Sequence, residues 1–87
     1  MTDNTKSFES EVTSLLLSIA KALVDSQADI EVAATSEGRT TLFTLRSRKE
    51  DLGKLIGRQG RTATAMRVIL GAVASKHGRK AVLGVEE

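Results

Sequence analysis

With 87 residues, of which 40% are apolar, the chain has room for one small domain with one modest core and none for a second. The absence of cysteine excludes a disulfide framework and a thiolate metal site, so no oxidising compartment is needed and a cytoplasmic location is expected. The net charge of +2 conceals a division: residues 1–38 carry two basic and seven acidic side chains, residues 39–80 eleven basic and two acidic, so the second half suits an anionic partner and the first half faces away from it.

The first seven residues are expected to form a flexible tail on a single domain spanning 1–87. From Phe8 to Val24, the residues Phe8, Val12, Leu15, Leu16, Ile19, Ala20 and Leu23 recur at spacings of three and four, the period of one helical face. Ser7 is the expected cap, with Glu9 and Glu11 in the first turn, where the helix dipole favours them. The apolar run Leu15–Val24 is broken by Ser18 and Lys21 and is too short to span a bilayer, and no signal-peptide pattern precedes it. Next come two half-buried strands, one with Ile30, Val32 and Ala34 on alternate positions, the other with Thr41, Phe43 and Leu45. "SEGR" between them reads as a hairpin turn, with Gly38 able to take a positive φ.

Ser47-Arg48-Lys49-Glu50 fits a capping box and predicts a short helix running to about Ile56. A second helix follows from Arg61 to about Lys76, with Met66, Ile69, Leu70 and Val73 on its core face. Gly78 is the expected C-cap, and a last strand from Lys80 turns Ala81, Leu83 and Val85 to one side. The order α-β-β-α-α-β predicts a two-layer α+β sandwich, a three-stranded sheet with helices packed on one face. No linker, repeat or low-complexity segment interrupts it.

The feature that asks for a function is the break in "GKLIGRQGRTA". A tight turn between two helices accounts for its glycines on structural grounds alone. Two observations point further. The loop delivers backbone amides to the start of the next helix, a place that favours an anion. The glycines also remove side chains that would hold a nucleic-acid backbone away, while Lys54, Arg58 and Arg61 surround the loop with positive charge.

These residues resemble the Ile-Gly-x-x-Gly signature of KH domains, set between two helices as that family requires. The element order is similar to the prokaryotic, type II arrangement of the KH fold. The resemblance runs from the first helix to the last strand and extends to the small bacterial single-KH RNA-binding proteins of the KhpA type. It implies that Gly57 and Gly60 let the loop approach the backbone of about four single-stranded nucleotides. Arg58 and Gln59 would contact phosphate or sugar, and Lys54 and Arg61 would add ionic contacts. Ile56 would form part of the apolar floor of a groove with Ala63, unless it is an ordinary core contact. Leu42, Thr44 or Arg46, on the second strand, would reach base edges from the opposite wall. With no Trp or Tyr, and with Phe8 and Phe43 at core positions, there is no stacking platform of the RRM or OB kind. An aliphatic KH groove needs none.

On the second long helix Ala65, Val68 and Ala72 form a further apolar strip. Contact with the first helix accounts for it, and so does a protomer interface with Gly71 permitting close approach. The family resemblance implies a homodimer, or pairing with a larger KhpB-type partner that carries its own RNA-binding domains. Catalytic constellations are missing: His77 is the one histidine and sits at a helix end, and Glu50 with Asp51 is explained by helix capping. The expectation is therefore a non-enzymatic RNA-binding protein without cofactor or metal, an RNA chaperone or post-transcriptional regulator with an implied influence on cell-envelope synthesis and cell shape. The alternative is a KH-fold protein-interaction adaptor, for instance in ribosome assembly.

Overall fold

The computed structural model describes residues 5–87, and the core is organised by the first helix. In α1 (Thr5–Leu23) the side chains of Phe8, Val12, Leu16 and Ala20 are fully buried, a stripe that lays one helical face on the sheet. Burial of each of the larger side chains stabilises the fold by about 1.5–3 kcal/mol. Leu15 and Ile19 flank this stripe half-buried, and Leu23 is exposed.

The helix begins before the expected cap. Ser7 is its third residue, and neither Glu9 nor Glu11 lies in its first turn. Tertiary partners explain the placement: Glu9 accepts from the Ser36 hydroxyl on β1, and Glu11 approaches His77 Nε2 at 3.7 Å. Packing of an amphipathic stripe outweighs a local capping signal. Residues 5–7 of the expected tail are therefore helical, and its first four residues lie outside the described residues.

After a single 3-10 turn at Gln27–Asp29, β1 (Glu31–Glu37) and β2 (Thr40–Arg46) pair antiparallel, with Ala34 opposite Phe43. Gly38 makes the turn between them at φ +61°. The helices α2 (Lys49–Ile56) and α3 (Arg61–Lys76) then carry the chain across to β3 (Lys80–Glu86), which lies parallel to β2 with Leu83 opposite Phe43. The sheet order is β1-β2-β3, so β2 is central. Thr41, Phe43, Leu45 and Leu83 face the helices and are buried, while Leu42, Thr44, Arg46 and Val82 point to the opposite, uncovered face.

The expected capping box at Ser47 does not form. The Ser47 amide donates to the Glu86 carbonyl at 3.2 Å, extending the β2–β3 pairing, and its hydroxyl donates to the Arg48 carbonyl at 2.9 Å. Arg48 occupies the N-cap of α2 without a side-chain bond. Nor is Asp51 a simple helix-end charge, for its carboxylate is buried in a network described below.

Helix α3 has the expected bounds but a rotated face. Ala63, Met66, Leu70 and Ala74 are buried, Val73 is half-buried, and Ile69 is exposed. At its end Gly78 takes φ +66°, which lets the Arg79 amide close on the Ala74 carbonyl at 2.8 Å. The Arg79 guanidinium then ties the ends of the fold together, donating to Thr41 Oγ1 and the Gly38 carbonyl and lying 5.5 Å from the centre of the Phe8 ring. No helix among the described residues is long and apolar enough to cross a membrane.

Candidate nucleic-acid interface

The break between α2 and α3 is a tight turn built on residues at positive φ. Gly57 has φ +80° and its amide closes α2 on the Gly53 carbonyl at 2.8 Å. A Cβ on Gly57 would stand 2.3 Å from Thr62 Oγ1 and 2.7 Å from the Thr62 backbone nitrogen, so a side chain there collides with the first turn of α3. Gly60, at φ +74°, has open space around its missing Cβ and is required only for its backbone angle. Between them Gln59 adopts a left-handed conformation, φ 57° and ψ 26°, so three of the four loop residues sit at positive φ.

This geometry decides which loop groups are free. The Gly60 amide donates to the Gly57 carbonyl and the Arg61 amide to the Arg58 carbonyl, whereas the amides of Arg58 and Gln59 donate to no group among the described residues. Arg58 and Gln59 are exposed at the tip, as expected, and among the described residues neither Arg58 nor Arg61 forms an ion pair.

Lys54 is different. Its ammonium donates to Asp25 on the segment after α1 and to Asp51 Oδ1 at 3.4 Å. The bond to Asp25 outweighs the opposing effect of burial, and with Asp51 it holds the Lys54 pKa above the usual lysine value. Asp51 itself is 1% exposed and accepts from the Ser26 amide at 3.1 Å and from Arg48 Nε at 3.0 Å. Burial pushes its carboxyl pKa up, but the bonds from Ser26, Arg48 and Lys54 prevail and keep it below the usual carboxylate value.

The strand beside the helices is β3, an edge strand. Lys80 N bonds the Arg39 carbonyl and the Glu86 carbonyl accepts from Ser47 N, so the even-numbered residues of β3 direct their backbone groups toward β2. Leu83 therefore presents its backbone to the open edge, where Arg67 Nε donates to its carbonyl at 3.3 Å. Arg67 lies on α3 one turn beyond Ala63, which places an exposed guanidinium over the seam between α3 and β3.

The sequence profile of the KhpA/KhpB KH domain matches residues 13–85. The chain belongs to the KhpA/KhpB KH-domain family. Its relatives include the RNA-binding protein KhpA of Listeria monocytogenes, 40% identical over 73 residues that cover 84% of this chain and 96% of that protein. The KhpA of Borreliella burgdorferi is 39% identical, over 77% of this chain and 82% of its own. That of Clostridium acetobutylicum is 37% identical, over 82% and 95%. The α-β-β-α-α-β order and the three-stranded sheet are those of the type II KH fold.

Within this KH domain the expected site residues divide into two groups. Lys54, Ile56, Gly57, Arg58, Gln59, Gly60 and Arg61 are contiguous across the α2–α3 turn, and Ile56 is partly exposed there rather than a core residue. Ala63 is buried and offers almost no surface. Leu42, Thr44 and Arg46 lie on the face of the sheet that the helices leave uncovered, and Arg46 pairs with Glu86 at 3.0 Å. The strand at the sheet edge beyond β2 is the last one, β3. Arg67 was absent from the expected residues, although its position in line with Ala63, Leu70 and Ala74 marks it as the one basic residue on that face. On the other side of α3 of this KH domain, Ala65, Val68 and Ala72 are exposed and Ile69 joins them, giving a stripe at spacings of three and four with Val68 67% exposed. Among the described residues no cluster of His, Cys, Asp or Glu could hold a metal ion.

Proposed function

We propose that the chain is a cytoplasmic RNA-binding protein that clamps single-stranded RNA on the GRQG turn. The observation that carries this reading is the turn itself: the amides of Arg58 and Gln59, held by positive-φ glycines, have no acceptor among the described residues, and the Arg58 and Arg61 side chains beside them form no ion pair there. Phosphate oxygens accept from such amides, and the two arginines add charge-assisted contacts. Ile56 supplies apolar floor beside the turn, and Arg67 brings hydrogen-bond donors to the open edge of β3, where bases of the bound strand would lie. The naming of the Listeria, Borreliella and Clostridium relatives as RNA-binding proteins supports the same reading.

The exposed stripe Ala65, Val68, Ile69 and Ala72 favours a protein partner as well, a second copy of the chain or a larger KhpB-type protein. One short clamp binds weakly, and joining two in one particle raises the effective concentration for a single RNA. Such a particle acts as an RNA chaperone or post-transcriptional regulator, with effects on cell-envelope synthesis and cell shape. Ultraviolet crosslinking in the cell, followed by sequencing of the attached RNA, tests the reading against the Arg58→Asp/Gln59→Asp variant. Crosslinked RNA is expected from the wild type and not from the variant. Equal yields from both would reject the clamp, and loss of RNA without loss of cellular phenotype would favour an adaptor acting through α3.

A further inference from the structure

We propose that Asp25 is a counter-ion that holds Lys54 out of use, so that α2 contributes no cation to bound RNA while the pair stands; this rests on the RNA-binding reading above. Lys54 lies in the last turn of α2, one turn ahead of Gly57, where a phosphate of the bound strand would pass. Its ammonium is instead shared between two carboxylates.

These two acids are not equivalent. Asp51 is buried and also bonded to Ser26 and Arg48, so its charge is satisfied within the fold without Lys54. Asp25 has a side chain 77% exposed and, among the described residues, Lys54 as its one partner. It can release the ammonium without disturbing the core. Arg48 and Lys54 are set against Asp25, Asp51 and Glu50, which lies 3.8 Å from Arg48 Nε, so the cluster carries no surplus positive charge, whereas among the described residues Arg58 and Arg61 have no acidic partner. A phosphate arriving at Arg58 or Arg61 displaces water and mobile ions, but at Lys54 it meets a carboxylate already in place. Because exposed ion pairs are weak, the barrier is shallow and reversible. Asp25 is thus a positioning residue that lowers affinity and reduces by one the number of cations the protein presents.

The test is fluorescence anisotropy of a labelled oligouridylate across a salt series, with the full chain as wild type, Asp25→Asn, Lys54→Met and the double variant. Asp25→Asn is expected to bind about two- to fivefold tighter at low salt. Its plot of log affinity against log salt should steepen by about 0.7, the increment for one added phosphate contact on a single strand. Neither change should occur in the Lys54→Met background, and the melting temperature of Asp25→Asn should match the wild type. A gain of equal size without Lys54 would assign the effect to net charge and overturn the counter-ion. Wild-type binding with no gain in Asp25→Asn would overturn it too, leaving the RNA-binding reading intact. Absence of binding by every variant would overturn that reading, and the counter-ion with it.

Discussion

The Asp51 carboxylate accepts a hydrogen bond from the backbone amide of Ser26 at 3.1 Å, which fastens the first turn of α2 to the segment joining α1 and β1. The same oxygen takes Arg48 Nε at 3.0 Å, so one buried acid fixes the helix that leads into the GRQG turn. Removing its charge leaves buried donors poorly matched. Asp51→Asn is expected to lower the melting temperature by several degrees at neutral pH, measured by circular dichroism.

The pH dependence of that difference has a definite sign. Because the folded pKa of Asp51 lies below its unfolded value, its contribution is complete above the ordinary carboxylate range and is lost as pH falls through the folded value. The gap between wild type and Asp51→Asn should therefore be constant from neutral pH down to about pH 5 and close below about pH 4. A gap that widens on acidification would contradict the assignment.

The two glycines of the turn should tolerate alanine unequally. Gly60, at φ +74° and ψ 11°, lies in the left-handed region, which costs about 1–2 kcal/mol for an L-residue, whereas Gly57, at φ +80° and ψ 167°, lies in a region that is essentially glycine's alone. Gly57→Ala adds a collision with Thr62, including its backbone nitrogen, whereas Gly60→Ala meets open space. Urea denaturation should rank Gly57→Ala clearly less stable than Gly60→Ala, with Gly60→Ala close to the backbone term alone.

Elements that rest on local pattern were legible in the sequence; placements that rest on distant partners were not. The bounds of α3 and the alternation of β2 follow from periodicity within one segment. The helical period sets Ile69 on one face with Met66, Leu70 and Val73, yet the stripe on the sheet runs through Ala63 and Ala74 and turns Ile69 outward. Ser47 carries a capping sequence, but its amide is claimed by Glu86, 39 residues later in the chain. Lys54 reads as a free cation until Asp25 is brought beside it. The place of β3 is not legible for the same reason, since hairpin pairing is local but the docking of β3 on the far side of β2 is set by the whole fold.

The outward turn of Ile69 strengthens the case for an interface on α3. A stripe of Ala65, Val68, Ile69 and Ala72 excludes water only when another surface covers it. Val68→Glu puts a charge at its centre without touching the core. Light scattering should show the mass of this variant falling to that of a single chain, with the circular dichroism spectrum unchanged, while an unaltered mass would reject this face as the contact.

On the proposed reading, the GRQG turn binds RNA through groups that the fold does not need. Arg58 and Gln59 are exposed and their side chains have no partner among the described residues, so replacing both by Asp should leave folding intact. The deciding measurement is the affinity of the Arg58→Asp/Gln59→Asp variant for a labelled single-stranded oligoribonucleotide, compared with wild type at the same salt concentration. A loss of at least about tenfold is expected from two repelled phosphates and a lost arginine contact, with an unchanged melting temperature. Wild-type affinity in the folded variant would place RNA elsewhere on the protein and contradict a clamp at this turn.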